Sequence, residues 1–466
     1  MPTQILIIGA GITGLTTAYR LLQRQPDLHV TILEQNQHVG GNIHTLNADG
    51  FRVETGPNGF LDNKPTTLQL CRDLGLGDRL IAASEGSRKN RYVFIDQKLQ
   101  RLPGSLMSFV RSRLLTLRGK WSFAMEPYRK PPSPLPDDES IAEFATRRAG
   151  RQAAEVFADA LTTGIHGGDP ALLSVRACFP RLVNFENEHG SVIRGVFRAA
   201  KKRRLDAEAR GETPPGPTRM WSFREGLQTL VDTLREKLGD HIVTGASIER
   251  VERHEGRWRA GAYPNRYWDA DHVILTCPAY EQAKLLHDLD EPLVVKLREI
   301  AYNAIAVVAL GFRANEAGKQ SLDGFGYIAP QRTKRDVLGV QWCSSIFPDR
   351  APDGMVLWRA LCGGWHRAEM VDWDDQRLIR AVVAELRLAQ GVTGEPVFTR
   401  VVRWNRAIPQ YFVGHLARIA TIEQLASKYA GLHLSGNAFH GVAMNDCVDQ
   451  GDVLAKRILG SSEPEA

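Results

Sequence analysis

The first forty residues contain a glycine pattern that is typical of a phosphate-binding turn. Gly9, Gly11 and Gly14 follow the apolar run Ile5–Ile8 at GxGxxG spacing, and Glu34 closes a second apolar run. In this pattern the first glycine permits a tight turn, the second admits a pyrophosphate close to the backbone, and the third lets a helix pack against a strand. An acidic residue placed like Glu34 can bind a ribose hydroxyl. The spacing therefore predicts a dinucleotide-binding βαβ unit.

A second pair of glycines favours FAD as the dinucleotide. Gly40 and Gly41 follow the second predicted strand, where a backbone without side chains can pass beside a diphosphate, and a plain NAD domain has no need of them. Many flavoproteins place an arginine two residues before this pair, but this chain has His38. The predicted FAD contacts of the N-terminal unit are Gly9, Ala10, Gly11, Ile12, Thr13, Gly14, Glu34, Gln35, Gly40, Gly41 and Asn42.

The C-terminal end contains a second strand-to-helix turn. Residues 432–437 form a short apolar strand ending in glycine, residues 441–447 follow, and a helix is predicted from Val448 to Leu459. We expect this segment to return to the same cofactor, with the helix N-terminus stabilising negative charge on a reduced flavin ring. The predicted contacts here are Gly436, Asn437, Val442, Ala443 and Met444.

Composition limits the class of protein. The chain has 466 residues, 43% of them hydrophobic, and its 59 basic and 53 acidic residues give a net charge of +6, which is too small to imply nucleic acid. Its six cysteines show no CxxC pair or clustering with histidine, so we expect reduced thiols, no disulfide framework and no metal site. No run reaches 18 consecutive apolar residues, and no signal peptide is expected.

The pattern of elements predicts a mixture of α/β and α+β architecture. We divide the chain into a first FAD-binding part (1–84), a hairpin and helical region facing substrate and membrane (85–220), a second FAD-binding part (221–290), a substrate-domain sheet (291–415) and a C-terminal FAD-binding part (416–466). The inserted substrate domain would have a mixed sheet and form a cleft against the Rossmann-like domain. Ligand sites favour such clefts.

Several strings together carry a family resemblance over essentially the whole chain. The chain resembles the protoporphyrinogen oxidase family, within the FAD-containing, amine-oxidase-like flavoproteins. The strings are Gly56–Pro57–Asn58–Gly59–Phe60, Lys89–Asn90–Arg91–Tyr92, residues 163–169, Cys178–Phe179–Pro180, Gly324–Phe325–Gly326, Ile408–Pro409–Gln410–Tyr411 with Gly414–His415, and residues 441–447.

The resemblance implies a reaction and further site residues. The family oxidises protoporphyrinogen IX to protoporphyrin IX by six electrons, in three two-electron steps through FAD to oxygen, giving hydrogen peroxide; the flavin carries the chemistry, and no dedicated side-chain acid or base is needed. Arg91 would anchor a propionate, and Phe325, Ile328 and Leu361 would wall the macrocycle. Further cofactor contacts implied are Gly56, Pro57, Asn58, Gly59 and Ile248, although some relatives have arginine where this chain has Asn58. His166 is interpreted as a structural histidine.

A basic and apolar segment between Leu102 and Met125 predicts a helix lying on an anionic membrane surface, or else a helix packed on its own core. Because the family resembles monotopic enzymes that pass product to a chelatase, we expect peripheral attachment to the cytoplasmic face of the inner membrane. Ferrochelatase is the expected partner protein, and the sequence leaves a homodimer open.

Three other functions are left open by the sequence. A coproporphyrinogen III oxidase would keep the chemistry but accept a substrate with four propionates in a more basic site. An amine oxidase or a carotenoid-type desaturase would share the fold, and the strings at 408–411 and 441–447 disfavour it. A non-catalytic flavin- or tetrapyrrole-binding protein would bind FAD that porphyrinogen cannot reduce.

Overall fold

The computed structural model describes residues 3–210, 216, 218–318 and 323–460. The strands are β1 Gln4–Ile8, β2 His29–Glu34, β3 Thr45–Ala48, β4 Phe51–Glu54, β5 Phe60–Leu61, β6 Leu80–Ala82, β7 Arg91–Ile95, β8 Lys98–Arg101, β9 Met220–Phe223, β10 Ile242–Thr244, β11 Ile248–His254, β12 Arg257–Ala262, β13 Arg266–Ala270, β14 His272–Leu275, β15 Ala304–Arg313, β16 Gly326–Ile328, β17 Gly339–Gln341, β18 Met355–Gly364, β19 Phe398–Trp404 and β20 Leu432–Leu434. The α-helices are α1 Ile12–Arg24, α2 Pro65–Asp73, α3 Glu85–Lys89, α4 Leu106–Arg111, α5 Leu117–Ala124, α6 Ile141–Ala149, α7 Arg151–Ala153, α8 Asp159–His166, α9 Val175–Cys178, α10 Pro180–His189, α11 Val192–Ala209, α12 Gln228–Leu238, α13 Ala279–Leu285, α14 Glu291–Arg298, α15 Cys343–Ile346, α16 Asp375–Gln390, α17 His415–Ala426 and α18 Met444–Ile458.

The predicted βαβ unit is confirmed as β1, α1 and β2, and it lies in a five-stranded parallel sheet with the order β10-β2-β1-β14-β20. All four residues Ile5–Ile8 are buried, and their side chains alternate between two apolar cores, one on each face of the sheet. Helices α1, α12 and α18 cover one face, and α13, α14 and α17 cover the other. Burial on both faces explains why this strand is apolar throughout.

A second, mixed sheet has seven strands in the order β19-β15-β18-β17-β16-β7-β8, which confirms the predicted mixed sheet. Its strands come from two distant segments, because the hairpin of β7 and β8 pairs in parallel with β16. One face packs against α16 through an apolar core that includes Tyr327, Val340, Ala360 and Val382. The other face is covered in part, by the helical insertion over Val93 and Ile95 and by β3 and β4 over Ala309 and Leu357. The partly exposed side chains of Ile328 and Leu361 lie between these two covered regions and can line a cleft.

The basic segment between Leu102 and Met125 does not form one surface helix. It forms the two short helices α4 and α5, since Ser112 has an extended backbone and Thr116 begins a new helix by accepting a hydrogen bond from the Gly119 amide. Leu114 and Leu115, expected at the surface, are buried between them. No helix in the described ranges is both long and apolar enough to cross a membrane.

The last helix begins earlier than the sequence predicts. Helix α18 starts at Met444 rather than Val448, so residues 444–447 form its first turn instead of a preceding loop. Its apolar side packs on α1, where Gly451 lets the two backbones approach: a Cβ atom there would lie 3.0 Å from the Thr13 carbonyl oxygen. The C-terminal end of the chain is thereby held against the N-terminal βαβ unit.

Candidate active site

The carboxyl ends of the parallel strands gather the predicted cofactor residues at one edge of the sheet. Gly9 follows β1, Glu34 ends β2 and Gly436 follows β20. Thr276, just beyond β14, donates a hydrogen bond from its hydroxyl to the Gly9 carbonyl oxygen (2.8 Å). A Cβ atom on Gly436 would lie 3.2 Å from the backbone carbonyl oxygen of Thr276. In open α/β sheets this edge is the ligand-binding one.

Two of the glycines are required by geometry. A Cβ atom at Gly14 would overlap the Gly9 carbonyl, so only glycine lets α1 approach the turn so closely. Gly40 has a φ of +111°, a conformation that favours glycine, and its amide donates to the Ala10 carbonyl oxygen (2.8 Å). The two glycine turns are therefore joined through their backbones, with a Cβ atom on Gly41 lying 3.3 Å from the Gly11 Cα atom.

The start of α1 has the features of an anion site. Its cap residue is Gly11, and no side chain in the described ranges caps the first turn. A Cβ atom on Gly11 would meet nothing within 4 Å, so there is open space beside the helix N-terminus. The free N–H groups and the helix dipole there favour a phosphate.

Glu34 lies beside this turn in an ordered position. Its carboxylate accepts hydrogen bonds from the Ala10 amide (2.8 Å) and from the amide of Asn36 (3.0 Å), and it is buried. The Asn36 side-chain amide also donates to the same oxygen as the Asn36 backbone amide (2.8 Å), so the lone pair left for a ribose hydroxyl is on the oxygen that binds Ala10. The Ala246 amide donates to the Glu34 carbonyl oxygen (2.8 Å), which brings Ile248, at the start of β11, to the same end of the sheet. Gln35 follows directly, with an exposed side chain.

The turn at residues 56–59 joins the cofactor region to the mixed sheet. A Cβ atom on Gly56 would overlap the Asn42 carbonyl oxygen, which places this turn against the second glycine pair. Asn58 is buried, and its Nδ2 atom has no hydrogen-bond partner in the described part of the chain. A buried amide without an acceptor is costly, and a bound ligand would supply one.

Two side chains of the mixed sheet hold the residues just before this turn. The Arg359 guanidinium donates to the Glu54 carbonyl oxygen, and the Trp404 indole N–H donates to the Thr55 carbonyl oxygen (3.0 Å). Arg359 lies two residues from Leu361 on β18, on the same face of the sheet. The turn at 56–59 therefore starts on the face that α16 leaves uncovered.

At the C-terminal end, α18 begins without a side-chain cap. Ala443 is the cap residue and cannot accept a hydrogen bond, while the Asp446 carboxylate accepts from the Ala443 amide itself (3.1 Å). The amides of Asp446 and Cys447 donate to the Ala443 carbonyl oxygen (2.9 and 3.1 Å), which leaves the amides of Met444 and Asn445 available to a ligand. Val442 is half-buried beside them, and Asn437 lies in the loop that precedes them.

The part of this face between its two covered regions forms an apolar slot. Ile328 pairs with Gly339 and Gly339 pairs with Leu361, so the three residues form one row on the same face. Gly339 places no side chain between the two partly exposed aliphatic side chains, on strands about 10 Å apart. A Cβ atom on Gly339 would lie 2.6 Å from the Tyr327 carbonyl oxygen, so β17 approaches β16 closely here. Gly164 of α8 closes this slot from above, since a Cβ atom there would lie 2.6 Å from Ile328 Cδ1.

A positive charge lies at the end of this slot. Arg91 pairs with Gly326 across the parallel strands β7 and β16, two residues along from the Val93–Ile328 pair. Its guanidinium carbon lies 5.0 Å from the centre of the Phe325 ring. Within the described ranges this guanidinium makes no hydrogen bond and no ion pair. The predicted substrate residues Arg91, Phe325 and Ile328 are therefore brought together, with Leu361 two strands away.

Comparison with known proteins agrees with this geometry. The model of the flavin containing amine oxidoreductase family matches residues 12–459. The chain belongs to this family. It is 33% identical to the coproporphyrinogen III oxidase of Bacillus subtilis, covering 98% of this chain and 97% of that protein, and 30% identical to the chloroplastic protoporphyrinogen oxidase of Nicotiana tabacum, covering 98% and 85%. It superposes with a TM-score of 0.83, at 27% identity and over 99% and 100% of the two chains, on a crystal structure from an Exiguobacterium species assigned as a protoporphyrinogen oxidase.

The protein is accordingly a flavin-dependent oxidoreductase, and its cofactor is FAD. The residues present fit this group. There is open space beside Gly11, and α1 and α18 both begin without a side-chain cap in the described structure. Their backbone amides and the Asn58 side-chain amide can donate hydrogen bonds to a polar, anionic ligand. Among the described residues, no group of three or more His, Cys, Asp or Glu side chains is placed to hold a metal ion.

Some residues of the site were not found from the sequence. Gly339, Arg359 and Trp404 have no local motif, because their importance depends on which strands are neighbours. His166 is buried, and its Nδ1 atom has no hydrogen-bond partner among the described residues; burial lowers its pKa to about 4, so it is neutral at pH 7. Its ring packs edge-on against Phe179, in keeping with the structural role predicted for it.

Proposed function

We propose that this protein oxidises protoporphyrinogen IX to protoporphyrin IX, with oxygen as the electron acceptor. The substrate loses six hydrogen atoms, and three molecules of O₂ become three of H₂O₂. FAD, when bound, supplies the two-electron oxidation that each step needs. The observation that carries the proposal is the apolar slot with the Arg91 guanidinium at its end, where no hydrogen-bond or ion-pair partner for it is found in the described part of the chain.

The slot matches the chemistry of this substrate. Protoporphyrinogen has an apolar macrocycle with methyl and vinyl groups, and its two propionates lie on adjacent pyrrole rings at one edge. Ile328 and Leu361, on either side of Gly339, offer aliphatic contact to the macrocycle. Arg91 offers a planar guanidinium, whose fork of N–H groups suits a carboxylate. In this arrangement the protein binds and orients the macrocycle, while α8 helps to exclude water.

A coproporphyrinogen III oxidase is the second candidate. It is favoured by the similarity to the Bacillus subtilis enzyme, which covers nearly the whole of both chains. That substrate carries four propionates, so its site needs cations at more than one edge of the macrocycle. In the described structure the slot itself is lined by Ile328, Gly339 and Leu361, with its cation at the Arg91 end. We therefore place the protoporphyrinogen reaction first.

Peripheral membrane attachment is part of the proposal. Leu106, Met107, Leu117 and Trp121 on α4 and α5 are 60–84% exposed, which is unusual for large apolar side chains. The basic side chains Arg111, Arg113 and Arg118 are exposed beside them. Tyr128 and Phe197, also more than 70% exposed, extend the apolar surface toward α11. Such a surface suits an anionic leaflet, and we propose the cytoplasmic face of the inner membrane, with ferrochelatase as the acceptor of product.

The first experiment compares the two porphyrinogens as substrates. The purified holoenzyme is mixed in air with protoporphyrinogen IX or with coproporphyrinogen III, and porphyrin fluorescence and peroxide are followed. Faster turnover of protoporphyrinogen supports the proposal, and a preference for coproporphyrinogen moves the enzyme to the second candidate. Absence of turnover with both, in a preparation that contains FAD, would contradict either assignment.

Arg91→Ala tests the anchoring role directly. Loss of a charge-assisted hydrogen bond costs about 1.5–3 kcal/mol, so KM for protoporphyrinogen should rise by about 10- to 100-fold, with a smaller change in kcat. Arg101→Ala is the matched control, because Arg101 pairs with Tyr92 on the adjacent strand and therefore lies on the other face. An equal effect of both variants would show that general charge, rather than anchoring, is responsible.

A further inference from the structure

Tyr411 contacts both ends of the loop that leads into α18. Its hydroxyl donates a hydrogen bond to the Asn437 carbonyl oxygen (2.5 Å) and accepts one from the Gly441 amide (2.9 Å). The side chain is 2% exposed, and burial raises the pKa of its phenol well above the ordinary value, so the hydroxyl stays protonated. One buried group thus closes residues 437–441 into a defined loop, immediately before the uncapped N-terminus of α18.

A histidine fixes the orientation of this tyrosine. The His415 ring stacks on the Tyr411 ring, with centroids 3.9 Å apart and planes 12° from parallel. Burial lowers the pKa of His415 to about 4, so the ring is neutral at pH 7. Its Nε2 atom lies 3.3 Å from the Phe439 carbonyl oxygen, and the Nε2–H tautomer can donate to it. The same loop is therefore held at three successive points.

The residue before Tyr411 holds the opposite side of the cleft. The Gln410 amide donates from Nε2 to the carbonyl oxygen of His166 (3.1 Å), at the end of α8. Asn303 donates to the same oxygen (2.8 Å) and to the Gly167 carbonyl oxygen (3.0 Å). Helix α8 carries Gly164, which closes the slot over Ile328. Gln410 and Tyr411 thus connect the helix over the slot with the loop that leads to the cofactor.

We propose that Tyr411 is a positioning residue that sets the N-terminus of α18 toward the flavin, relative to the substrate slot. This inference rests on the proposed function, in which the slot and the flavin face one another. The N-terminal end of a helix stabilises nearby negative charge, and this effect falls off within the first turn. A loop that loses the two bonds at its ends would hold that helix end less firmly toward a reduced, negatively charged flavin.

The test is Tyr411→Phe in the FAD-loaded enzyme, since phenylalanine keeps the stacking on His415 and removes only the hydroxyl. We expect a more negative reduction potential of the bound flavin, measured by equilibration with reference dyes. Hydrogen exchange of the amides at 437–444 should be faster. The anaerobic rate of flavin reduction by protoporphyrinogen should fall about tenfold or more, which corresponds to about 1.4 kcal/mol in the activation free energy. KM should change little, because the substrate slot is left intact.

Tyr429→Phe is the matched control. The Tyr429 hydroxyl also has two partners, the Leu289 carbonyl oxygen (3.2 Å) and the Asp290 carboxylate (3.0 Å), but it lies away from the cofactor edge. It should leave the flavin potential and the exchange at 437–444 as in the wild type. An unchanged potential in Tyr411→Phe, or the same shift in both variants, would overturn the inference. The potential and the exchange need no porphyrinogen, so their result stands apart from any failure of the substrate assignment.

Discussion

Helices α1 and α11 begin in opposite ways, and the difference distinguishes a helix N-terminus that can bind a ligand from one that is capped by the chain itself. At α11 the chain fills its own helix end: Ser191 accepts a hydrogen bond from the Arg194 amide (3.1 Å), and the Glu126 carboxylate accepts from the amides of Val192 (2.9 Å) and Ile193 (3.2 Å). At α1 the cap is Gly11, with no side-chain acceptor in the described ranges and with open space beside it. The same backbone N–H groups are satisfied internally in one helix and left for a ligand in the other.

The comparison extends across the molecule. In the helical insertion, Ser105, Thr116 and Ser140 each cap the helix that follows. At the cofactor edge, α18 starts after Ala443 and repeats the open arrangement of α1. A helix end that a protein leaves open, beside glycines and at the carboxyl edge of a parallel sheet, is where an anionic ligand stabilises the fold.

The strongest way to break this contrast is to give α1 its own cap. Gly11→Asp fits the backbone, which has the extended φ of −71° and ψ of 174° of a cap residue, and its side chain would enter open space. Without FAD, the free energy of unfolding of the variant should equal that of the wild type or exceed it by about 0.3 kcal/mol, because aspartate caps a helix slightly better than glycine. FAD affinity should fall by about a thousandfold or more, about 4 kcal/mol, because a carboxylate takes the place of the diphosphate.

Gly11→Ala separates charge from size in this experiment. Its methyl group occupies the same space without a charge, so the loss of affinity should be smaller than with aspartate. Both affinities are measured by titrating the apoprotein with FAD, and stability by urea unfolding. Full FAD affinity in Gly11→Asp would show that the open end of α1 is not the diphosphate site.

A second prediction removes the internal anion of α11. Glu126 is buried and also pairs with the Arg148 guanidinium, which donates from Nε to its carboxylate (2.8 Å). Glu126→Gln removes the nearer of the two carboxylates that pair with this arginine, the other being Glu186 (3.3 Å), and should lower the free energy of unfolding by about 3 kcal/mol. The affinity for FAD, measured at a temperature where the variant is folded, should stay within about twofold of the wild type. A large loss of FAD affinity would contradict the separation of the two kinds of helix end.

The same variant should change the acid dependence of stability. Burial acts to raise the pKa of Glu126, but hydrogen bonds from Ser191 and Arg148 outweigh it and hold the pKa below its usual range. The stabilisation from this carboxylate is therefore present above the pKa of the unfolded chain and is lost as the pH falls through the folded pKa. The difference in stability between wild type and Glu126→Gln should shrink at acid pH, which unfolding at several pH values will measure.

Sequence reasoning succeeded where function depends on backbone and local spacing. The turn at Gly9–Gly14, the second glycine pair and Glu34 lie within one βαβ unit, so their spacing alone predicts that they meet. The same holds for the hairpin of β7 and β8. The roles given to Arg91, Phe325 and Ile328 came from the family resemblance instead.

What the sequence could not predict are long-range pairings. The parallel pairing of β7 with β16 joins segments more than 230 residues apart and places Arg91 beside Phe325. The slot at Gly339 exists only because β17 lies between β16 and β18. The prediction of one surface helix between Leu102 and Met125 is wrong for a related reason. Leu114 and Leu115 are buried in a tertiary core, and the segment therefore forms two short helices.

The smallest predicted effect concerns an ordinary structural cap, at the start of α6. Ser140 accepts a hydrogen bond from the Glu143 amide (3.2 Å), and the Glu143 carboxylate accepts one from the Ser140 amide (2.9 Å), a complete capping box. Ser140→Ala should lower the free energy of unfolding by about 1 kcal/mol, with FAD affinity and turnover unchanged. Urea unfolding and FAD titration of the same preparation measure both. If FAD affinity fell in proportion to stability, helix ends capped by side chains would also influence cofactor binding, and the distinction between α1 and α11 would be contradicted.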